Sequence, residues 1–331
     1  MDMRVGTWNV ENLFRPGAGF GPANGEVYRA KLDGLAATID RMAPDVLGLQ
    51  EVGSPEALED LVDRLGAGWQ TALSLDFDPR HPIRVAFLSR HPMRVVADVR
   101  DFPAQLSPVQ VTDPDAAGVV SGATRSGRGV LAVEVDPPGG RPLLAACCHL
   151  KSKLLSFPPV GGRPRFQPRD EGERARVAAY ALARRAAEAV AVRDLATRLL
   201  RSGGEDGRTT PVVVLGDLND EPAAATTQVL YGPPGSQLGS GGFDRPDDGD
   251  GLRLFNLAER IPAQQRFTRR FGGRGEMIDH ILVSRVLVEP LPVVEVVRQA
   301  GVDALPDVTT AGPRPATPAS DHAAVLAHLT V

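Results

Sequence analysis

The stretch Pro211-Val212-Val213-Val214-Leu215-Gly216-Asp217-Leu218-Asn219-Asp220 decides how the rest of the chain is read. Four consecutive apolar residues, three of them β-branched and none alternating with a polar one, describe a strand buried on both faces. A glycine then frees the backbone, and a carboxylate and a carboxamide follow two positions apart. Residues so spaced in an extended backbone point to the same side. Asp217 and Asn219 are therefore expected to face one spot together at the mouth of a strand, where α/β proteins place their chemistry. A polar turn closing a hairpin is the plainer reading of the same letters. The other strand ends decide between the two.

Working outward, Met3 to Val10 alternates and breaks at Glu11-Asn12, and Asp45 to Glu51 is a second buried strand ending on a carboxylate. Arg84 to Ser89 and Met93 to Val99 read as paired strands separated by Arg90-His91-Pro92. Val130 to Val135 and Leu143 to Cys148 read as a hairpin turned by Pro137-Pro138-Gly139-Gly140, and its second strand runs into His149-Leu150-Lys151-Ser152-Lys153. Met277 to Ser284 carries Asp279-His280, Val293 to Val297 is one more strand, and Ser320-Asp321-His322 leads into Ala323 to Leu329. Helical spacing is confined to Val27–Arg41, to the segment after the Ser54-Pro55 cap, and to Glu171–Leu200. Strands paired with strands among a few helices favour a layered α/β fold over strict βαβ winding. The expected organisation is one domain over 1–331, with loop insertions near 109–129, 154–170, 231–253 and 299–319.

Composition narrows the class. The 331 residues are 42% hydrophobic and 24% charged, as expected of a soluble globular protein. A net charge of −4 and a pI near 5.9 give no global basic field for nucleic acid. Cys147 and Cys148 are adjacent and cannot form an ordinary disulfide with each other, so they read as small strand residues in a reducing compartment. The chain runs from Met1 into a strand with no basic and apolar leader, and no apolar run approaches a membrane span. A cytoplasmic location and no obligate protein partner are the expectations. Lys31, Lys151 and Lys153 are the only lysines, and two of them flank one short segment after His149.

The polar strand ends are Asn9 with Glu11, Glu51, His149 with Lys151, Asp217 with Asn219, Asp279, and Asp321 with His322. Singly, each has a bland explanation. Glu51 reads as a capping or solvated carboxylate, His149 as a satisfied strand-end histidine, and Asp321-His322 as a turn with an N-cap. Independent turns would not all choose carboxylate, carboxamide or imidazole. The chemistry that wants this set is metal-assisted phosphoester hydrolysis. Oxygen donors suit Mg²⁺ or Mn²⁺, and zinc-type Cys/His spacing is absent. An Asp can orient or deprotonate water, and His and Asn can hydrogen-bond the developing charge. Asp279 could hold His322 in one tautomer.

Thr7-Trp8-Asn9-Val10-Glu11-Asn12, Leu49-Gln50-Glu51-Val52, Cys148-His149-Leu150-Lys151, Gly216-Asp217-Leu218-Asn219, Ile278-Asp279-His280 and Ser320-Asp321-His322 resemble, in that order, the motifs of the endonuclease/exonuclease/phosphatase superfamily. They span nearly the whole chain and are specific jointly rather than singly. The resemblance implies a four-layer αββα sandwich of two packed mixed sheets, with the site at one edge. It implies a divalent metal, Mg²⁺ or Mn²⁺, held by Glu51 with Asn9, Glu11 and Asp321 beside it. It also implies Asp217 on the attacking water, Asn219 and Lys151 on the phosphate, His149 on the transition state, and an Asp279–His322 dyad.

His149 followed by Lys151 and Lys153, an Arg-rich helix, and Phe267-Thr268-Arg269-Arg270-Phe271 are similar to bacterial non-specific nucleases of that superfamily, which makes nucleic acid the expected substrate. Between Arg163 and Arg201 arginines outnumber acids, and the excess reads either as a phosphate-tracking face or as a solvated helix with incomplete pairing. The acidic loop from Asp244 to Asp250 would repel nucleic acid near the site. A phosphatase or phosphodiesterase of a small or lipid phosphoester, such as an inositol phosphate or sphingomyelin, is the alternative, since only rim loops differ. A silent binding module is disfavoured by the completeness of the polar set.

Overall fold

Apolar runs without polar alternation form the middles of two six-stranded sheets, and amphipathic helices cover their outer faces. The computed structural model describes the whole chain except residues 80–81, 114–117, 120, 161–162, 205, 244–248 and 310–316, with the side chains at 160 and 164 also outside the description. In chain order the principal elements are β1 (Asp2–Leu13), α1 (Gly25–Met42), β2 (Val46–Val52), α2 (Pro55–Leu65), β3 (Gln70–Leu73), β4 (Arg84–Ser89), β5 (Met93–Asp101) and β6 (Arg125–Val135). They continue with β7 (Leu143–His149), α3 (Glu171–Arg201), β8 (Val212–Asp217), β9 (Leu254–Asn256), β10 (Asp279–Ser284), β11 (Val293–Val297) and β12 (Ala324–Thr330). The helices start where the sequence caps them. Asn24, Ser54 and Asp170 each accept backbone N–H bonds of the first turn, and Pro55 opens α2.

The first sheet runs β11-β12-β1-β2-β4-β3 and the second β9-β10-β8-β7-β6-β5. One parallel pair sits at the centre of each, β1 with β2 and β8 with β7, flanked by antiparallel neighbours. Val5, Val46, Phe87, Val133, Leu215 and Val325 belong to the core between the sheets. A second core joins the first sheet to α1 and α2 through Trp8, Leu35, Leu47 and Leu61, and a third joins the second sheet to α3 through Ala146, Val192, Leu195 and Val214. This is the αββα order of layers. Cys147 and Cys148 are free and buried, and among the described residues no helix is long and apolar enough to cross a membrane.

Two glycines set the geometry that matters for the site. A Cβ on Gly48 would lie 2.2 Å from Leu215 Cδ1, so the central strands of the two sheets approach closely there. A Cβ on Gly216 would lie 1.9 Å from the Cys148 carbonyl oxygen, and Gly216 has φ of +143°. Gly216 thus lets β8 come against β7 while still inside the strand, which places Asp217 in register with His149.

Several expectations are corrected. Arg84–Ser89 and Met93–Asp101 do not pair with each other: the chain crosses at Arg90-His91-Pro92 from the first sheet to the second, where Met93–Asp101 pairs with β6. Alternation in two successive strands cannot reveal which sheet each joins. The loop expected from Val109 to Gly129 is shorter, because β6 starts at Arg125 and Val109–Gln110 pairs with Gly122–Ala123. The short strands β3 and β9 and the hairpin Arg269–Phe271 with Arg274–Glu276 lacked a sequence signal of sufficient length. Most of the acidic Asp244–Asp250 loop lies outside the described residues.

Gly216→Ala should therefore destabilise the protein by about 3 kcal/mol or more, since the added methyl meets backbone rather than a movable side chain and the backbone angle disfavours it. Urea unfolding of the variant beside wild type checks this. A loss below roughly 1 kcal/mol would mean that β7 and β8 separate easily.

Candidate active site

Parallel strands end on the same side, so each central pair delivers two strand ends to one rim. β1 and β2 bring Asn9, Glu11 and Glu51, while β7 and β8 bring His149 and Asp217. The antiparallel neighbours begin at the same rim and add Asp279, at the start of β10, and Asp321-His322, just before β12. All of these are buried except Glu51, which is half-buried.

Hydrogen bonds join the two sheets at this point. The Asn9 carboxamide donates to Asp217 Oδ2 at 3.0 Å and to Glu51 Oε1 at 3.2 Å. The Asn12 backbone N–H donates to Glu51 Oε2 at 2.9 Å, and the Asp321 N–H to Glu11 Oε2 at 3.2 Å. His322 Nδ1 and Asp279 Oδ2 are 2.7 Å apart, which makes the expected dyad contact. His149 Nε2 lies 3.4 Å from Asp217 Oδ2. Trp8 Nε1 donates to the His322 carbonyl at 3.0 Å, and the Thr268 hydroxyl accepts from the backbone N–H of Asp279 at 3.2 Å. Trp8 and Thr268 fix the dyad without touching its reacting atoms.

Backbone strain marks the same residues. Among the described residues, the non-glycine positions with left-handed backbone are Glu11, Asn12, Ala43, Glu51 and Asn219. Ala43 ends α1. The other four lie at the rim, where strain of about 1–3 kcal/mol each is tolerated for position. The turn at Asn219 corrects the extended alternation expected for Asp217 and Asn219. β8 ends at Asp217, the Asn219 N–H donates back to Asp217 Oδ1 at 2.8 Å, and the Asn219 carboxamide donates to the Leu150 carbonyl at 3.0 Å. Lys151 is also placed otherwise than expected: its ammonium donates to the carbonyls of Ser152 and Leu154, both at 2.8 Å.

The electrostatics divide the site into roles. Burial, reinforced by repulsion from Asp279, lifts the Asp217 carboxyl to about 7, against the pull of His322 and the bond from Asn9. Burial opposes charge on His322, but Asp279, Asp321 and Asp217 outweigh it and raise the imidazole to about 10. Burial, with the positive Arg128, His322 and Lys151 around it, pushes His149 well below its ordinary value, so that ring is neutral. His149 Nδ1 and Asp279 Oδ1 are buried without hydrogen-bond partners among the described residues, while Arg269 Nε lies 3.4 Å from Asp321 Oδ2. Orphaned polar atoms at one rim point to a ligand.

Lys31 was not assigned from the sequence. It is fully buried in α1, its ammonium donates to the Thr317 carbonyl at 3.1 Å, and the Thr317 hydroxyl lies 3.4 Å from Glu11 Oε2. Burial lowers it to about 8, and Glu11, Glu51 and Asp321 resist that fall. A lysine four residues before Leu35, on the apolar stripe of the helix, was the available signal.

Two groups of donors could hold a cation. Asp217, Asp279 and His322 place ligand atoms within 4.8 Å of one another. A histidine bonded to a carboxylate and favouring its protonated form is a poor ligand, because coordination needs a free lone pair. Glu51, Glu11 and Asp321 offer hard carboxylate oxygens of the kind that suits Mg²⁺ or Mn²⁺, but among the described residues their ligand atoms do not gather within 4.8 Å of one another, and the Asn9 carboxamide gives its N–H groups to Asp217 and Glu51 while its oxygen accepts from the Glu11 N–H.

Residues 6–322 match the model of the Endonuclease/Exonuclease/phosphatase family. Comparison with curated proteins gives no significant match. Among solved structures, a truncated TDP2 from Caenorhabditis elegans is 16% identical with a TM-score of 0.56, covering 100% of this chain and 98% of that one. An endonuclease/exonuclease/phosphatase from Beutenbergia cavernae is 19% identical with a TM-score of 0.53, covering 100% of this chain and 72% of that one. The mannosyl-6-phosphatase Bt3783 of Bacteroides thetaiotaomicron is 15% identical with a TM-score of 0.52, covering 99% and 100%. These likenesses show the shared fold.

In metal-free protein the stabilisation from charged His322 is complete below its ordinary value near 6.5 and is lost as pH rises through about 10. Asp279→Asn removes the largest charge opposing burial, so the ring should be neutral at pH 8 in the variant and protonated at pH 8 in wild type. Histidine ring NMR in EDTA distinguishes the two, and a protonated ring in the variant would overturn the assignment.

Proposed function

The chain belongs to the Endonuclease/Exonuclease/phosphatase family, and from that premise we propose that it is a divalent-metal-dependent phosphodiester hydrolase acting on nucleic acid. The observation that carries the hydrolytic part is the pairing of opposites at the joined rims: a carboxyl poised near neutrality, Asp217, beside an imidazolium, His322, and a neutral imidazole, His149. Water beside Asp217 loses its proton to that carboxylate as it attacks phosphorus. His322, charged and held by Asp279, gives a hydrogen bond to a phosphoryl oxygen as negative charge builds there. His149 gives its single ring N–H to the same group without adding charge. Glu51, Asn9, Glu11 and Asp321 would hold Mg²⁺ or Mn²⁺. A cation bound by them supplies a Lewis acid for the phosphoryl and leaving oxygens.

The nucleic-acid part rests on the hairpin Arg269–Phe271 with Arg274–Glu276. It is fused to the dyad, since Arg269 bridges to His322 and the Ala323 N–H donates to the Thr268 carbonyl at 2.7 Å. Arg270 and Arg274 have no carboxylate within ion-pair distance among the described residues, and Phe271 is 42% exposed. Cations interleaved with an exposed ring suit a phosphate backbone and its bases.

Plasmid DNA, single-stranded RNA, inositol phosphates and a generic phosphodiester should be tested with Mg²⁺, with Mn²⁺ and with EDTA. Cleavage of nucleic acid with metal and none with EDTA is expected, and Asp217→Asn or His322→Ala should lower the rate by about 10²–10⁴. A monoester cleaved while nucleic acid stays intact would sink the nuclease reading. Mg²⁺ or Mn²⁺ should also raise the melting temperature of wild type and not of Glu51→Gln; equal shifts would move the metal away from Glu51.

A further inference from the structure

The motif Ile278-Asp279-His280 gives its aspartate to the dyad and leaves its histidine without a part in the reaction. Alternation along β10 turns His280 away from Asp279, and the ring is fully buried, in register with Gly216 of β8. A buried imidazole has two ring nitrogens to satisfy. Nδ1 lies 3.1 Å from the Asn256 carboxamide nitrogen, and Nε2 lies 2.9 Å from the Asp220 carbonyl oxygen. These contacts locate the proton. At the end of β9, Asn256 Oδ1 accepts the Ala258 N–H at 2.9 Å, which fixes the orientation of the amide and turns its NH₂ group toward the ring. An amide donor facing Nδ1 requires a lone pair there, so the single ring proton sits on Nε2 and is donated to the Asp220 carbonyl. Burial lowers the imidazole below its ordinary value, against the Asp220 carbonyl and the Asp279 charge, and a second proton would set N–H against N–H at Asn256.

Asp220 follows Asn219, whose backbone is left-handed with φ of +53°. A residue keeps that shape only where its surroundings over-determine it, and each residue of this turn is gripped. The Leu218 N–H donates to the Ile278 carbonyl at 2.8 Å, the Asn219 N–H to Asp217 Oδ1 at 2.8 Å and the Asn219 carboxamide to the Leu150 carbonyl at 3.0 Å. The Asp220 carboxylate takes Arg185 at 3.1 Å and the Thr226 hydroxyl at 2.7 Å, while its carbonyl takes His280. The His280 bond thus fastens the backbone at the far end of the turn to β10, the strand that also carries Asp279. The consequence reaches Asp217. Its Oδ1 is held by the Asn219 N–H and its Oδ2 by Asn9 at 3.0 Å, so a turn that relaxes releases one of the bonds orienting that carboxyl.

We infer that His280 is a positioning residue for the hydrolysis: as a neutral Nε2–H donor it sets the turn at 218–220, and through the Asn219 N–H it aims the Asp217 carboxyl at the attacking water. The inference rests on the phosphoester reading of the rim and deepens it. His280 touches neither the substrate nor the reacting atoms. Ala258 fixes the Asn256 amide, Asn256 fixes the proton on His280, and His280 fixes the turn. The edge strand β9 therefore contributes to catalysis without reaching the rim. Glutamine at 280 keeps a donor for the Asp220 carbonyl, whereas phenylalanine keeps the bulk of the ring and removes the donor.

Spectroscopy, hydrogen exchange and kinetics on the full chain test this. In EDTA at pH 7, two-bond proton–nitrogen NMR of wild type should show a ring protonated on Nε2 alone, identified as His280 by its loss in His280→Gln. A proton on Nδ1, or a charged ring, overturns the inference. The Asn219 amide should exchange about tenfold faster in His280→Phe and as in wild type in His280→Gln, with the Val214 amide unchanged in both. Equal acceleration at Val214 would make His280 a core residue only, and no acceleration at Asn219 would leave the turn independent of it; either result overturns the inference. On the phosphodiester that wild type cleaves, His280→Phe should lower kcat by about 10–10²-fold with KM unchanged, and His280→Gln should recover most of the loss. A raised KM with kcat intact would overturn the positioning role. Should His280→Phe not fold, the wild-type tautomer decides. Should wild type cleave no phosphoester, the hydrolase reading fails separately, and the tautomer and exchange results decide whether His280 holds the turn.

Discussion

Parallel pairing at the centre of each sheet is the constraint from which the rest follows. A hairpin turns back on itself and scatters its polar ends, but two parallel strands must finish together. Here β1 with β2 and β7 with β8 finish at one rim, and the antiparallel strands β10 and the lead into β12 start there. Because the sheets are packed face to face, the two rims merge. Four strand ends and two strand starts then need only one functional residue each to compose a site. Gly48 and Gly216 serve this arrangement by removing the atoms that would hold the sheets, and the strands within the second sheet, apart.

The cost of convergence is electrostatic. Glu11, Asp217, Asp279 and Asp321 are buried and Glu51 is half-buried, and burial alone disfavours every one of those charges. The fold answers with three devices of different kinds. Lys31 sets a buried cation behind Glu11, Glu51 and Asp321. His322 accepts a proton and shares its charge with Asp279. Asn9 donates to Asp217 and Glu51 without carrying charge at all. The left-handed turns at Glu11, Glu51 and Asn219 are the backbone counterpart, since an ordinary strand end would aim those side chains along the alternation.

Much of this was legible in the letters. Runs such as Val212-Val213-Val214-Leu215 have no polar face, so their burial was forced, and the polar residue at the end of each run could only sit at a rim. The layer order and the dyad contact followed from the family resemblance. What the letters hid is long-range. Nothing local in Met93–Asp101 says that it leaves the sheet of Arg84–Ser89, and β3 and β9 are too short to show a period. The turn at Asn219 was missed because alternation assumes an extended backbone, and the capture of the Lys151 ammonium by its own loop carbonyls leaves no pattern in sequence. Lys31 was visible as an oddity on an apolar stripe, but its meaning depends on carboxylates brought from three other segments.

The dipeptide Asp-His occurs once on each sheet, at the start of an antiparallel neighbour of a central strand, and the fold spends its letters differently. In Asp321-His322 the histidine reaches the reacting rim. In Asp279-His280 the aspartate does so, while His280 is sealed in the core between the Asn256 carboxamide at 3.1 Å and the Asp220 carbonyl at 2.9 Å. The chemical dyad is thus assembled from one half of each pair, Asp279 from the second sheet and His322 from the first. Slippage of one sheet against the other would leave each dipeptide intact and dismantle the dyad. The protonation of His322 is therefore tied to how the two sheets are seated, because the carboxylate bonded to its ring comes from the other sheet.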